Sequence, residues 1–166
     1  MTIVVTAVVF FLVSVKIAPG AAEMRGDVTI GSNNVIHPQS IIIAEAGPIV
    51  IGSNNVIQER AVIINRQPQV LRIGHNNVFK VDSHSEALRF GNNNVLEPRC
   101  FVGSAVEVTD NNVVSAGCRL TCPEVVGPNA VTCGHQCTWS QQEYRPPPQT
   151  PQLYFLTRVF PNYNQR

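Results

Sequence analysis

Apolar side chains return along this 166-residue chain at every sixth position, most clearly at Phe90, Leu96, Val102, Val108, Val114, Leu120 and Val126, with Thr132 closing the run. The same spacing joins Ala18, Met24, Ile30, Ile36 and Ile42, restarts at Ile51, Ile57 and Ile63, and restarts again at Ile73 and Phe79. A helix repeats near 3.6 residues and a strand at 2, so neither alone has this period. A period of six suits a short strand followed by a tight turn, and three such sides make one coil, the interval from Val108 to Val126. Each restart marks a loop, one around 45–48 and one around 65–69, with a one-residue slip between Phe79 and Phe90.

A longer repeat lies over this period. The segment Ile30-Gly31-Ser32-Asn33-Asn34-Val35-Ile36 recurs from Ile51, Ile73, Phe90 and Val108, with a worn copy from Val126. The interval is widest between Ile51 and Ile73, narrowest between Ile73 and Phe90, and constant from Phe90 to Val126. Self-similarity at such a period predicts a solenoid. Four residues after most large apolar positions the side chain is small: Ala22, Val28, Ser40, Ala61, Ser83, Cys100, Val106, Cys118 and Ala130. Alternating large and small side chains fill a narrow prism without voids.

At every third small position stands an asparagine: Asn34, Asn55, Asn77, Asn94 and Asn112. With coils stacked at the strand spacing of about 4.8 Å, these amides can hydrogen-bond from coil to coil as a ladder. The preceding Asn33, Asn54, Asn76, Asn93 and Asn111 fall at a corner, where Asn tolerates left-handed backbone. Asn pairs could also ligate a metal or a sugar, but identical residues stacked along a solenoid favour the structural reading.

Beyond Thr138 the period stops. The proline-rich stretch 143–148 reads as an extended connector. Thr150 can cap a helix with Pro151 in its first turn. Leu153, Leu156 and Phe160 then recur at i, i+3 and i+7, and Pro161 stops the element. The predicted organisation is an apolar extension over 1–14, a β-solenoid over 15–137, a connector over 138–150, a helix over 151–160 and a tail over 161–166. The fold class is all-β with one short C-terminal helix, which at this length needs the outside of the solenoid to lie against.

Composition narrows the function. A net charge of +1 with 14% charged residues gives no general attraction to nucleic acid. The five cysteines, Cys100, Cys118, Cys122, Cys133 and Cys137, are odd in number and confined to the second half. They read as reduced, in a cytosolic chain, with Cys100 and Cys118 as small core hydrophobes. Residues 1–14 are apolar and uncharged, shorter than the roughly 20 residues a membrane-crossing helix needs. They resemble the core of a signal peptide, yet no Lys or Arg precedes them and no small-x-small site follows. An added first strand is the alternative.

The hexapeptide of a large aliphatic, often Gly, two variable residues and a small residue resembles the left-handed parallel β-helix family. The handedness is implied by that resemblance, since ordinary parallel crossovers are right-handed. Within the family, three stretches look very much like dynactin subunit 6 proteins: 15–21, 25–31 with Arg25-Gly26-Asp27, and 42–52 with the loop Ala44-Glu45-Ala46-Gly47-Pro48. The tail from Arg145 to Tyr163 is similar too. The chain departs from that family over positions 1–14, in a coil shortened between Ala21 and Met24, and in a loop after Asn65 reduced to a few residues.

That resemblance implies assembly and not chemistry. The partners it implies are dynactin subunit 5, itself a left-handed β-helix, and the actin-related protein at the pointed end of the dynactin filament. Through them it implies dynein and cargo adaptors, with no cofactor, nucleic acid or small-molecule substrate.

Two enzyme groups share the fold. Gamma-class carbonic anhydrases hold zinc with three histidines, two of them five residues apart, whereas His37, His75, His84 and His135 are separated by 38, 9 and 51. Hexapeptide acyltransferases use a histidine base, for which His37 is the best placed. It precedes Pro38 at a corner with no acidic residue within a few positions to orient it, and reads as an exposed turn histidine. In carbonic anhydrases Arg-Gly-Asp is structural, and Arg25-Gly26-Asp27 is read the same way here. The side chains best suited to protein contact are Arg89, Arg99, Phe101 and Phe155, and Thr150-Pro151 fits a proline-directed phosphorylation site.

Overall fold

The computed structural model describes residues 4–5, 9–11, 16–17, 20, 22–133, 138–143, 146–147 and 150–159, with strand pairing alone for residues 4–17. Ala18, His135, Cys137, Phe160 and the tail 161–166 lie outside the described residues. Strands of two to four residues stack into three sheets, of seven, seven and eight strands among the described residues. As far as Ala130–Cys133, successive strands in the chain go to successive sheets, and neighbours within a sheet are one coil apart. Pairing is parallel throughout except at the last strand.

The six-residue period is the prism's interior. Met24, Ile30, Ile36, Ile42, Ile51, Ile57, Ile63 and Phe79 are each at most 1% exposed, and Phe90, Leu96, Val102, Val108, Val114, Leu120 and Val126 at most 2%. A large aliphatic or aromatic side chain buried in this way contributes about 1.5–3 kcal/mol. Where the period slips, Phe79 and Phe90 meet edge to face with ring centroids 5.4 Å apart. The small positions Ala22, Val28, Ser40, Ala61, Ser83, Cys100, Val106, Cys118 and Ala130 are buried with them.

Two columns of left-handed residues turn the chain. Asn33, Asn54, Asn76, Asn93 and Asn111 have φ between 56° and 61° at one corner. Gln39, Arg60, Asp82 and Arg99, with φ of 56° to 59°, and Gly117, with φ of 70°, form the other. Only the first carries one such residue type on every coil, so only the first is visible as a motif.

Three boundaries differ from those expected. Residues 1–14 are not wholly outside the solenoid: Val4–Val5 pairs with Glu23–Arg25, and Val9–Phe11 with Val28–Ile30, both in parallel. Apolar residues of high β propensity supply these strands, and the exposed edge of the next coil fixes their register. Thr138–Gln141 is not connector but a strand, antiparallel to Ala130–Cys133, and it closes the edge of the third sheet. The helix runs Thr150–Val159, beginning one residue before 151, with Thr150 already in its first turn. It lies against the strand Val35–Ile36 on the outside of the third sheet. Among the described residues no helix is long and apolar enough to cross a membrane.

Candidate interaction faces

Inside the prism, the five asparagines form hydrogen-bonded steps. Asn55 donates to Asn34 Oδ1 from its backbone N (2.8 Å) and from Nδ2 (3.0 Å). Asn77 does the same to Asn55 (2.9 and 3.1 Å), and Asn94 to Asn77 (2.9 and 3.1 Å). Asn112 follows through its backbone N (2.8 Å), and the column ends where Ala130 N donates to Asn112 Oδ1 (2.7 Å). The second amide hydrogen reaches a turn carbonyl, as from Asn34 to Gly52 O at 2.8 Å and from Asn77 to Gly91 O at 2.9 Å. That contact explains the motif's glycine: a Cβ on Gly52 would stand 2.5 Å from the carbonyl oxygen of Gly74 on the next coil.

A second ladder runs one residue after these glycines. Ser53 N donates to His75 Nδ1, His75 N to Asn92 Oδ1, both at 2.8 Å, and Asn92 N to Asp110 Oδ1 at 2.6 Å. Because a backbone N–H can only donate, the His75 proton sits on Nε2. The residue types differ along this column, so no repeated letter announces it in the sequence.

His37 is not an exposed turn residue. It is 8% exposed, and its Nδ1 lies 2.8 Å from Glu59 Oε1. The acidic partner missing from its sequence neighbourhood comes from the next coil, 22 residues on. Burial alone would raise the Glu59 pKa, but the His37 hydrogen bond and the charges of His37 and Arg60 outweigh it and hold the carboxyl below 4.5. Glu59 is therefore the acceptor and His37 Nδ1 the donor. The Cys100 thiol is pushed up to about 12, first by burial and then by neighbouring Cys118, so it is protonated and not a nucleophile at neutral pH. Among the described residues no group of three or more His, Cys, Asp or Glu side chains is arranged to hold a metal ion.

The four candidate contact residues fall on different faces. Phe101 points outward from the first sheet, half-buried, with the His84 ring 5.0 Å away and the Arg119 guanidinium 4.4 Å above its centroid. Arg99 is an exposed corner residue with φ of 59°, next along its column to Asp82, which pairs with Arg60. Arg89 is exposed on the second sheet, in register with Arg72. Phe155 is 64% exposed on the helix, with Tyr154 at 59% and Val159 at 56% beside it. Thr150 is exposed at the start of that helix. Leu153 of the helix, with Thr150, Tyr154 and Thr157, lines a shallow cleft against the corner residues Asn33 and Asn54. The outward-facing Val35, Val56, Val78 and Val95 of the third sheet are at most 7% exposed.

Comparison with known proteins bears on this scaffold. No family model matches the chain. Dynactin subunit 6 of Xenopus tropicalis is 44% identical over an alignment of 167 positions, covering 91% of this chain and 83% of that protein. The chain belongs to the dynactin subunit 6 family. Dynactin subunit 6 of Danio rerio is 45% identical, covering 91% of this chain and 86% of that protein. That of Nematostella vectensis is 44% identical, covering 86% and 84%. Among solved structures, a hexapeptide transferase family protein from Anaplasma phagocytophilum superposes with a TM-score of 0.61 at 18% identity, covering 91% of this chain and 90% of that one. A UDP-N-acetylglucosamine O-acyltransferase from Moraxella catarrhalis gives 0.59 at 14% identity, covering 84% and 72%. At such identities these two speak for the fold alone, the left-handed hexapeptide-repeat β-helix.

Proposed function

We propose that this chain is a non-catalytic subunit of dynactin, seated at the pointed end of its filament beside dynactin subunit 5 and the actin-related protein found there. In that place it supports dynein-based transport and the attachment of cargo adaptors, in the cytoplasm and on the cytoskeleton. The observation that carries the reading is 44–45% identity to dynactin subunit 6 across nine-tenths of the chain. The architecture agrees with it: the interior is taken up by apolar packing and an asparagine ladder. His37 and Cys100, the residues a catalytic reading would use, are buried. Contact then belongs to outward residues, among them Phe155 on the helix and Phe101 on the first sheet, and Thr150 is a candidate site for phosphorylation next to Pro151.

Co-expression with tagged dynactin subunit 5 tests this. The expected result is stoichiometric co-purification that survives gel filtration. A folded chain that elutes apart from subunit 5, with or without the actin-related protein, overturns the assignment.

A further inference from the structure

The outer face of the second sheet brings two arginines side by side. Its outward column runs Thr29, Val50, Arg72, Arg89, Glu107 and Val125, one residue per coil. Arg72 and Arg89 are directly opposed on parallel neighbouring strands, about 4.8 Å apart at the backbone. Like charges in that position oppose pairing.

Elsewhere on this surface cations are matched from coil to coil: Arg60 with Asp82 at 2.6 Å, Arg66 with Glu86 at 3.0 Å, and Lys80 with Glu97 at 2.9 Å. Among the described residues no such ion pair holds Arg72 or Arg89. Glu107 follows Arg89 in the column without an ion pair to it, leaving two guanidinium groups against one carboxylate. These three residues, with Gln69, Val70 and Leu88, line an open cavity of about 290 Å³. Val70 is 39% exposed.

We propose that this cavity receives a carboxylate side chain of an acidic segment in a protein partner, with an adjoining aliphatic side chain resting on Val70 and Leu88. Each guanidinium offers a planar fork of donors, and two forks side by side bind one carboxylate through both of its oxygens. The cavity holds one or two side chains, too little for a cofactor-sized ligand. Glu107 at its edge repels a dianionic phosphate more than a singly charged carboxylate, and a net charge of +1 supplies no wider attraction to a polyanion. A protein segment is therefore favoured over a lipid headgroup or nucleic acid.

The test is a nuclear magnetic resonance titration of the full chain with the peptide acetyl-Glu-Leu-Glu-amide, alongside acetyl-Gln-Leu-Gln-amide and inorganic phosphate. Shift changes confined to Val70, Arg72, Leu88, Arg89 and their neighbours are expected with the acidic peptide alone. The double variant Arg72→Gln, Arg89→Gln should weaken its affinity tenfold or more, a loss of about 1.4 kcal/mol or greater. Arg72→Lys, Arg89→Lys, which keeps the charges and loses the forks, should fall between and serves as the folded control. Absence of shifts at these residues, equal binding of the neutral peptide, or affinity unchanged by the glutamine variant overturns the proposal. Equal perturbation by phosphate overturns the choice of a carboxylate and identifies a phosphate site.

Discussion

A buried asparagine destabilises a protein unless its polar atoms are used, and Asn77 uses all of them. Its Nδ2 donates to Asn55 Oδ1 and Gly91 O, and its Oδ1 accepts from the backbone N and Nδ2 of Asn94. Asn77→Ala strands the Asn94 backbone N–H and the Gly91 carbonyl, each worth about 1–3 kcal/mol when left unsatisfied. Urea denaturation should show a loss of about 3 kcal/mol; a loss below about 0.5 kcal/mol would mean the ladder is dispensable. Glu59 gives a pH dependence. Its folded pKa lies below its ordinary 4.5, so its contribution is full above that value and disappears as pH falls through the folded value. The stability gap between the wild type and Glu59→Gln should therefore narrow as pH falls below about 4.5, read from thermal melts; a gap that stays constant while the carboxyl protonates would remove His37 as its partner. The corner asparagines and the first ladder were legible because one letter recurs at one interval. The His37–Glu59 pair and the Ser53–His75–Asn92–Asp110 ladder were not, because their members share a column and not a residue type.

Elements this short have no stability of their own, and that decides which of them could be read. The two- to four-residue strands were visible only through the coil that repeats them. Val4–Val5 and Val9–Phe11 were anticipated only through the alternative of an added first strand, because residues 1–14 lack the Gly-x-Asn-Asn letters. Their pairing is nonetheless regular: Val4 with Glu23, Val9 with Val28 and Lys16 with Val35 all keep one and the same offset along the chain. Thr138–Gln141 escaped for a different reason. All four of its residues are exposed, so no apolar face marks it, and it is held by backbone pairing to Ala130–Cys133. The helix shows the apolar spacing that predicts it, yet none of its described residues is buried. A chain ending at residue 147 should keep its β-solenoid but uncover outward-facing Val35 beneath the helix, with a loss of stability of about 1–3 kcal/mol by circular dichroism melts. Collapse of the folded signal on that truncation would show that the helix is integral to the fold.

For the whole molecule, stacking turns a one-dimensional repeat into three flat sheets and two turning corners. Arg89, Arg99, Phe101 and Phe155, four side chains of interface type, end on separate faces: second sheet, corner, first sheet and helix. A solenoid with partners on more than one side can use such a distribution, as the proposed place beside subunit 5 and an actin-related protein requires. Co-purification with subunit 5 is the measurement made at that scale. The sequence alone determined the coil: its period, its core positions, one corner and one ladder, because each is written once per coil in the same residue type. Only the tertiary structure decided what lies next to what across coils. The loops at 45–48 and 65–69 change the offset between successive coils. Which carboxylate meets His37, and which arginines come to stand side by side at 72 and 89, follows from that accumulated register and from nothing nearby in the chain.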